Sequence, residues 1–111
     1  MPQTPHCALY ALLRAGEVEE FNRRRAAGET CELRGTDLSR LDLRKLDARG
    51  LDLRDCYFRM SDLRGVDFRE ARLEGASLAQ THVSGCYFPE EIPAAELQLA
   101  LEHGTRIRSK A

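Results

Sequence analysis

The chain has 111 residues, of which 17 are basic and 18 acidic, for a formal net charge of −1. A balance so near neutral excludes the strongly basic surface of a general nucleic-acid binder, and the length leaves room for one domain. No apolar run reaches the roughly 20 residues that cross a bilayer, and residues 6–13 lack the basic leader and cleavage site of a signal peptide, so the expectation is a small soluble, cytoplasmic protein with no membrane partner.

In chain order, Thr4 followed by Pro5 predicts a helix start, and Ala8, Leu9, Leu12 and Leu13 form an apolar stripe that stops at Gly16. A second helix is expected over residues 17–27, with Val18 and Phe21 inward and Gly28 as its stop. Glu19 and Glu20 each stand four residues ahead of Arg23 and Arg24. The run Arg23, Arg24, Arg25 therefore reads as a solvated, charge-balanced helix face rather than a nucleic-acid patch. Residues 1–30 are expected to be a helical cap.

From 31 to 90 the chain divides into twelve five-residue units without an insertion. Their centres are Leu33, Leu38, Leu43, Ala48, Leu53, Phe58, Leu63, Phe68, Leu73, Leu78, Val83 and Phe88. Two residues before each centre stands a second apolar or hydroxyl side chain, as at Thr36, Leu41, Cys56, Ser61, Val66 and Ala76. Neither a helix nor a strand has a period of five. A period held this long points to a solenoid, whose units bury their apolar faces only against one another.

Units such as Ser61-Asp62-Leu63-Arg64-Gly65 and Val66-Asp67-Phe68-Arg69-Glu70 resemble the loose Ala-Asp-Leu-X-X pattern of the pentapeptide-repeat family. The resemblance implies a β-solenoid: a right-handed quadrilateral parallel β-helix with one unit per side and four per coil, so that twelve units make three coils. Splitting the register by fours gives interior columns that are compatible in volume: Leu33, Leu53, Leu73; Leu38, Phe58, Leu78; Leu43, Leu63, Val83; Ala48, Phe68, Phe88. Leu41, Leu46 and Leu51 break the family's preference for small residues before the centre, which implies a wider first coil beside an end cover. Three coils at about 4.8 Å each stand only about 14 Å tall. Both ends need covers, since an open coil exposes apolar side chains and unpaired strand edges.

After the repeat, Pro89 ends the coil, Pro93 opens a third helix through about residue 103, and Gly104 is its stop. Leu97 and Leu101 share one face and Leu99 lies roughly opposite. The tail carries Arg106, Arg108 and Lys110 around Ile107. Residues 91–111 are thus a C-terminal helix and a basic tail, either docked through Ile107 or disordered.

No site for chemistry is legible. His6, His82 and His103 are scattered, and His82, stacked above Asp62, reads as one half of a surface ion pair. No nucleophile stands beside a base, no glycine-rich phosphate loop occurs, and no metal or cofactor set is spaced for binding, so no catalytic residue is assigned. Glycines such as Gly65 and Gly75 end their units and serve as corners. Cys31, Cys56 and Cys86 take interior positions on different sides, so all four cysteines, Cys7 included, are expected to be free thiols in a reducing cytosol.

Charge carries the remaining information. On the outward positions residues 31–50 hold nine charged side chains, residues 51–70 nine, and residues 71–90 three. Aspartates precede and arginines follow the centres, giving rows that neutralise each other, with ten basic and eleven acidic groups over 31–90. No side is basic without acids between, and no aromatic platform accompanies the arginines, so direct nucleic-acid binding is not expected. The reading is a bacterial-type, non-catalytic protein-interaction module of unknown partner that forms a homodimer through its C-terminal end, where the interface residues would be Ser77, Ala79, Gln80, Ser84, Tyr87, Leu97, Leu99 and Leu101; the other cover open to the charge-poor residues is the chain's own segment from Ile92 onward, folded back as a cap. The alternative implied by the family resemblance is a DNA-mimic modulator of DNA gyrase or topoisomerase like the quinolone-resistance proteins, but three coils are short and their net charge is too small for a mimic of a polyanion.

The register makes a direct prediction. Leu63→Ala should lose about 2 to 5 kcal/mol, as large-to-small core changes do, while Arg64→Ala stays within about 0.5 kcal/mol. Equal losses in denaturant melts would show that inward and outward positions are misassigned.

Overall fold

In a computed structural model, which describes residues 7–108, the five-residue period becomes a stack with a twenty-residue repeat. Isolated parallel bridges join Asp37 to Tyr57 and Tyr57 to Ser77, Asp42 to Asp62 and Asp62 to His82, Asp52 to Arg72, and Asp67 to Tyr87. Each bridge stands alone, because the chain turns again before a second residue can pair. No run of residues long enough to count as a strand forms among those described. The N–H of a centre donates to a carbonyl nineteen residues on: Leu38 to Tyr57 at 2.8 Å, Leu43 to Asp62 at 2.9 Å, Leu63 to His82 at 2.8 Å and Phe68 to Tyr87 at 2.7 Å.

This register sends the centres inward. Leu33, Leu38, Leu43, Ala48, Leu53, Phe58, Leu63, Phe68, Leu73 and Leu78 are all buried. Phe68 meets Phe58 edge-on at 6.4 Å between ring centroids and stacks on Phe88 at 5.8 Å. The oversized Leu41, Leu46 and Leu51 are buried in the same cluster as the inward residues of the N-terminal helices. The last two centres differ. Val83 and Phe88 are only half-buried.

The corners fall where the units end, and the backbone there enters the left-handed region. Gly75 needs its missing side chain twice over: its φ is +81°, and a Cβ would collide with the Asp55 carboxylate of the unit beneath. Arg40, Asp55, Met60 and Gln80 adopt the same geometry with φ near +60°, at a cost that the surrounding stack must hold.

Three helices flank the stack. Helix α1 is Ala8–Arg14, with Cys7 as its N-cap; the start expected at Thr4 and Pro5 lies outside the described residues. Its buried residues, Leu9 and Leu13, are four apart, while Ala8 is exposed. Helix α2, Val18–Ala26, packs on α1 and buries Val18 and Phe21. Helix α3, Ala94–His103, follows Pro93 and ends at Gly104, whose φ of 70° is a left-handed C-cap.

The expected pairing on α2 is corrected. Glu20 binds Arg23, Glu19 reaches Lys45 at 3.3 Å, and Arg24 turns to Glu29 at 2.9 Å. Arg25 leaves the helix surface altogether and donates to the carbonyls of Asp47 and Arg49, both at 2.8 Å. Tyr10 Oη and Arg14 donate to the carbonyls of Asp37 and Ser39 at 2.8 Å, and Asn22 both donates to Lys45 O and accepts from Asp47 N–H. The basic run is therefore spoken for within the chain, and Asn22 and Arg25 meet backbone groups that have no repeat unit below them.

The expectation of four free thiols is also corrected. Cys7 and Cys31 form a disulfide that joins the start of α1 to the first repeat unit, leaving Cys56 and Cys86 free. Sequence position hid this, because only the folding back of α1 brings residues 24 apart within bonding reach. Closing a loop of that size restricts the unfolded chain by about 3 kcal/mol in the loop-entropy picture. Thiol labelling in denaturant should tag two cysteines before reduction and four after it, and reduction should lower the thermal midpoint; four labels without reductant would overturn the bond.

Candidate interaction surface

The outer surface over residues 41–69 is built from one local device. In five units an aspartate before the centre binds the arginine after it: Asp42 to Arg44, Asp52 to Arg54, Asp62 to Arg64 and Asp67 to Arg69 at 2.7 Å, and Asp47 to Arg49 at 2.8 Å. The same carboxylates accept the backbone N–H of those arginines at 3.0 to 3.2 Å, so each pair also pins a corner. The arginine hydrogen bonds hold the carboxyls of Asp62 and Asp67 down at about 2, and lower those of Asp42, Asp47 and Asp52 as well. Charges this well matched leave little field to steer a charged partner.

Asp62 does not pair with His82, as the stacking alone implied. Arg64 and, at 3.6 Å, Arg44 from twenty residues earlier occupy its carboxylate, and His82 stands exposed above it. The two guanidiniums already occupy the carboxylate, each presenting a planar fork of N–H donors to it.

The C-terminal end is different in kind. Of the residues expected to form an interface, two are engaged by the chain's own tail. Ser77 bridges antiparallel to Arg106, and Ala79 lies against Gly104. Ile107, only 2% exposed, accepts from Gly75 N–H at 2.8 Å and donates to Ala76 O at 3.0 Å. The tail is thus docked, and its arginines hold it: Arg106 donates to Tyr57 Oη at 2.7 Å and lies 3.7 Å from Asp55, while Arg108 binds Glu96 at 2.7 Å. Lys110 lies outside the described residues. On α3, Ala100 is buried and Leu97 and Leu101 pack half-buried on the core, whereas Leu99 is 39% exposed. Gln80 and Ser84 are exposed, and Tyr87 is 58% exposed with the Arg69 guanidinium 4.6 Å from its ring centroid.

Pentapeptide repeats is the family whose profile matches, over residues 31–70 and in eight copies. The chain is a pentapeptide-repeat protein. No curated protein and no solved structure gave a match. Repeats of this family generally form a right-handed β-helix, are commonly protein-interaction modules and are generally non-catalytic. In this pentapeptide-repeat protein the family match stops at Glu70, just where the Asp–Arg pairs end, yet the bridges at a twenty-residue spacing run on to Tyr87. Residues 71–90 therefore keep the register of the repeat while losing its surface.

The pairs predict an acid dependence. Folded values near 2 for Asp62 and Asp67 lie below the ~3.9 of an unstructured aspartate. The stabilisation is then fully present above about pH 4 and is lost as pH falls toward 2. The thermal midpoint should drop across that interval, and carboxyl NMR titration should place Asp62 and Asp67 well below the ~3.9 of an unstructured aspartate; a midpoint flat from pH 5 to 2 would deny the pairs any role.

Proposed function

We propose that this chain is a non-catalytic protein-interaction module that self-associates through its C-terminal end. In this reading residues 31–90 wind as three coils of a right-handed, four-sided β-helix. Residues 1–30 close the first coil, and residues 91–111 partly close the third. What supports the reading is a coincidence at one end. The charge-poor residues 71–90 include Tyr87 and lead on to α3 with Leu99, which are two of the three large apolar side chains exposed among the described residues, the other being Met60. Charged residues are depleted at interface cores, and aromatics are enriched there. The gyrase-modulating alternative finds no such support, since the Asp–Arg pairs neutralise the surface that a duplex mimic would need to keep anionic.

Light scattering during size exclusion tests the proposal. The intact protein should run with the mass of a dimer, and Leu99→Glu should halve that mass while circular dichroism stays unchanged. An intact protein that remains monomeric at high concentration would remove self-association from the reading.

A further inference from the structure

We propose that the backbone edge at residues 81–88, which leads on to α3, is a strand-addition site for an extended segment of a partner protein in which basic residues flank an apolar one. The inference rests on the C-terminal end being the contact surface, and goes on to name what binds there.

Within the repeat, Leu63, Gly65 and Phe68 donate N–H bonds to His82, Ser84 and Tyr87 at 2.7 to 2.9 Å, and the carbonyls of Ser61 and Val66 accept from His82 and Tyr87. Twenty residues on, the equivalent groups are the N–H of Val83, Gly85 and Phe88 and the carbonyls of Thr81 and Cys86. None of these has a hydrogen-bond partner among the described residues. Side chains follow the backbone. Leu63, Val66 and Phe68 are buried, but Val83, Cys86 and Phe88 are only half-buried. An apolar side chain alone would not close this edge; it needs backbone donors and acceptors in extended spacing.

The chain shows what such an occupant looks like. On the adjoining stretch, Arg106 and Ile107 lie antiparallel along Gly75–Ser77, exchange two backbone bonds with Gly75 and Ala76, and bury the isoleucine. From Gly104 at Ala79 to Ile107 at Gly75 that tail runs away from Thr81. The α3 backbone is committed to its own helix. Charge selects the occupant: residues 81–103 contain Glu90, Glu91, Glu96 and Glu102 and neither lysine nor arginine, and among the described residues only Glu96 has a cationic partner, Arg108. A segment with basic residues around an apolar one satisfies the backbone, the half-open interior and the acidic margin together.

The test uses a fluorescein-labelled peptide, Gly-Thr-Arg-Ile-Arg-Ser-Lys, titrated into the full-length protein and followed by anisotropy and by amide exchange. Binding should slow exchange at Val83, Gly85 and Phe88. It should weaken at least tenfold when the peptide's isoleucine becomes aspartate or its arginines become glutamates, and likewise for the folded variant Glu90→Lys/Glu91→Lys. No binding at millimolar peptide, binding indifferent to these changes, or protection confined to residues around Gly75, as expected for exchange with the resident tail, would overturn the proposal. So would protection of the three amides by self-association without peptide, which would make the occupant a second copy. A monomer that binds the peptide keeps this inference and removes self-association; a dimer that ignores the peptide does the reverse.

Discussion

A chain that turns every five residues pairs only some of its peptide groups locally, as Val66 N–H does with Leu63 O, so the rest must find their partners one circuit away. Everything else in this protein follows from that requirement. Inside the stack it is met by repetition, which is why the units tolerate no insertion over sixty residues. At the ends repetition runs out, and the two ends answer differently. Below the first circuit, side chains stand in for a missing unit: Tyr10, Arg14, Asn22 and Arg25 bond five carbonyls and one N–H of residues 37–49. Above the last, a stretch of backbone does so, and among the described residues only along Gly75–Ser77.

The second interior position obeys the same rule. Thr36 and Cys56 both donate to the carbonyl of Leu33, at 2.7 and 3.1 Å, and Cys86 donates to that of Leu63 at 2.7 Å. A small side chain with one proton to give fits beside a centre whose carbonyl faces inward. Burial, the larger effect, pushes the Cys56 and Cys86 thiols up, so they stay protonated and remain donors rather than nucleophiles. Their role is that of the serine and threonine in equivalent places. The bonded pair, Cys7 and Cys31, lies outside this pattern, at the junction of α1 with the repeat.

The stack itself was legible because its period is a property of neighbours in sequence: a centre every fifth residue fixes which side chains face in, and the columns Leu33, Leu53, Leu73 and Leu38, Phe58, Leu78 are buried as read. The stop at Gly104 was equally local. What the sequence hid depends on where the helices come to rest. Counting four residues along α2 pairs Glu19 with Arg23 and Glu20 with Arg24, but Lys45 takes Glu19, Glu29 takes Arg24, and Arg23 turns to Glu20. The disulfide was missed for the same reason. For the tail, the one usable signal was Ile107, a lone apolar residue among basic ones, and its docking turned Ser77 and Ala79 from candidate interface into covered surface.

That last change narrows the candidate surface rather than removing it. With Ser77 and Ala79 occupied from within, what is left of the charge-poor circuit is the run through Ser84 and Tyr87 and the outer face of α3 at Leu99. The described part of the tail, through Arg108, meets the first half of residues 71–90, and it brings its own arginines to Asp55, Tyr57 and Glu96. A solvated sheet edge is normally guarded by charged side chains against unwanted pairing. Residues 81–88 carry no lysine, arginine or carboxylate, and the N–H groups of Val83, Gly85 and Phe88 find no partner among the described residues, so this edge lacks that guard.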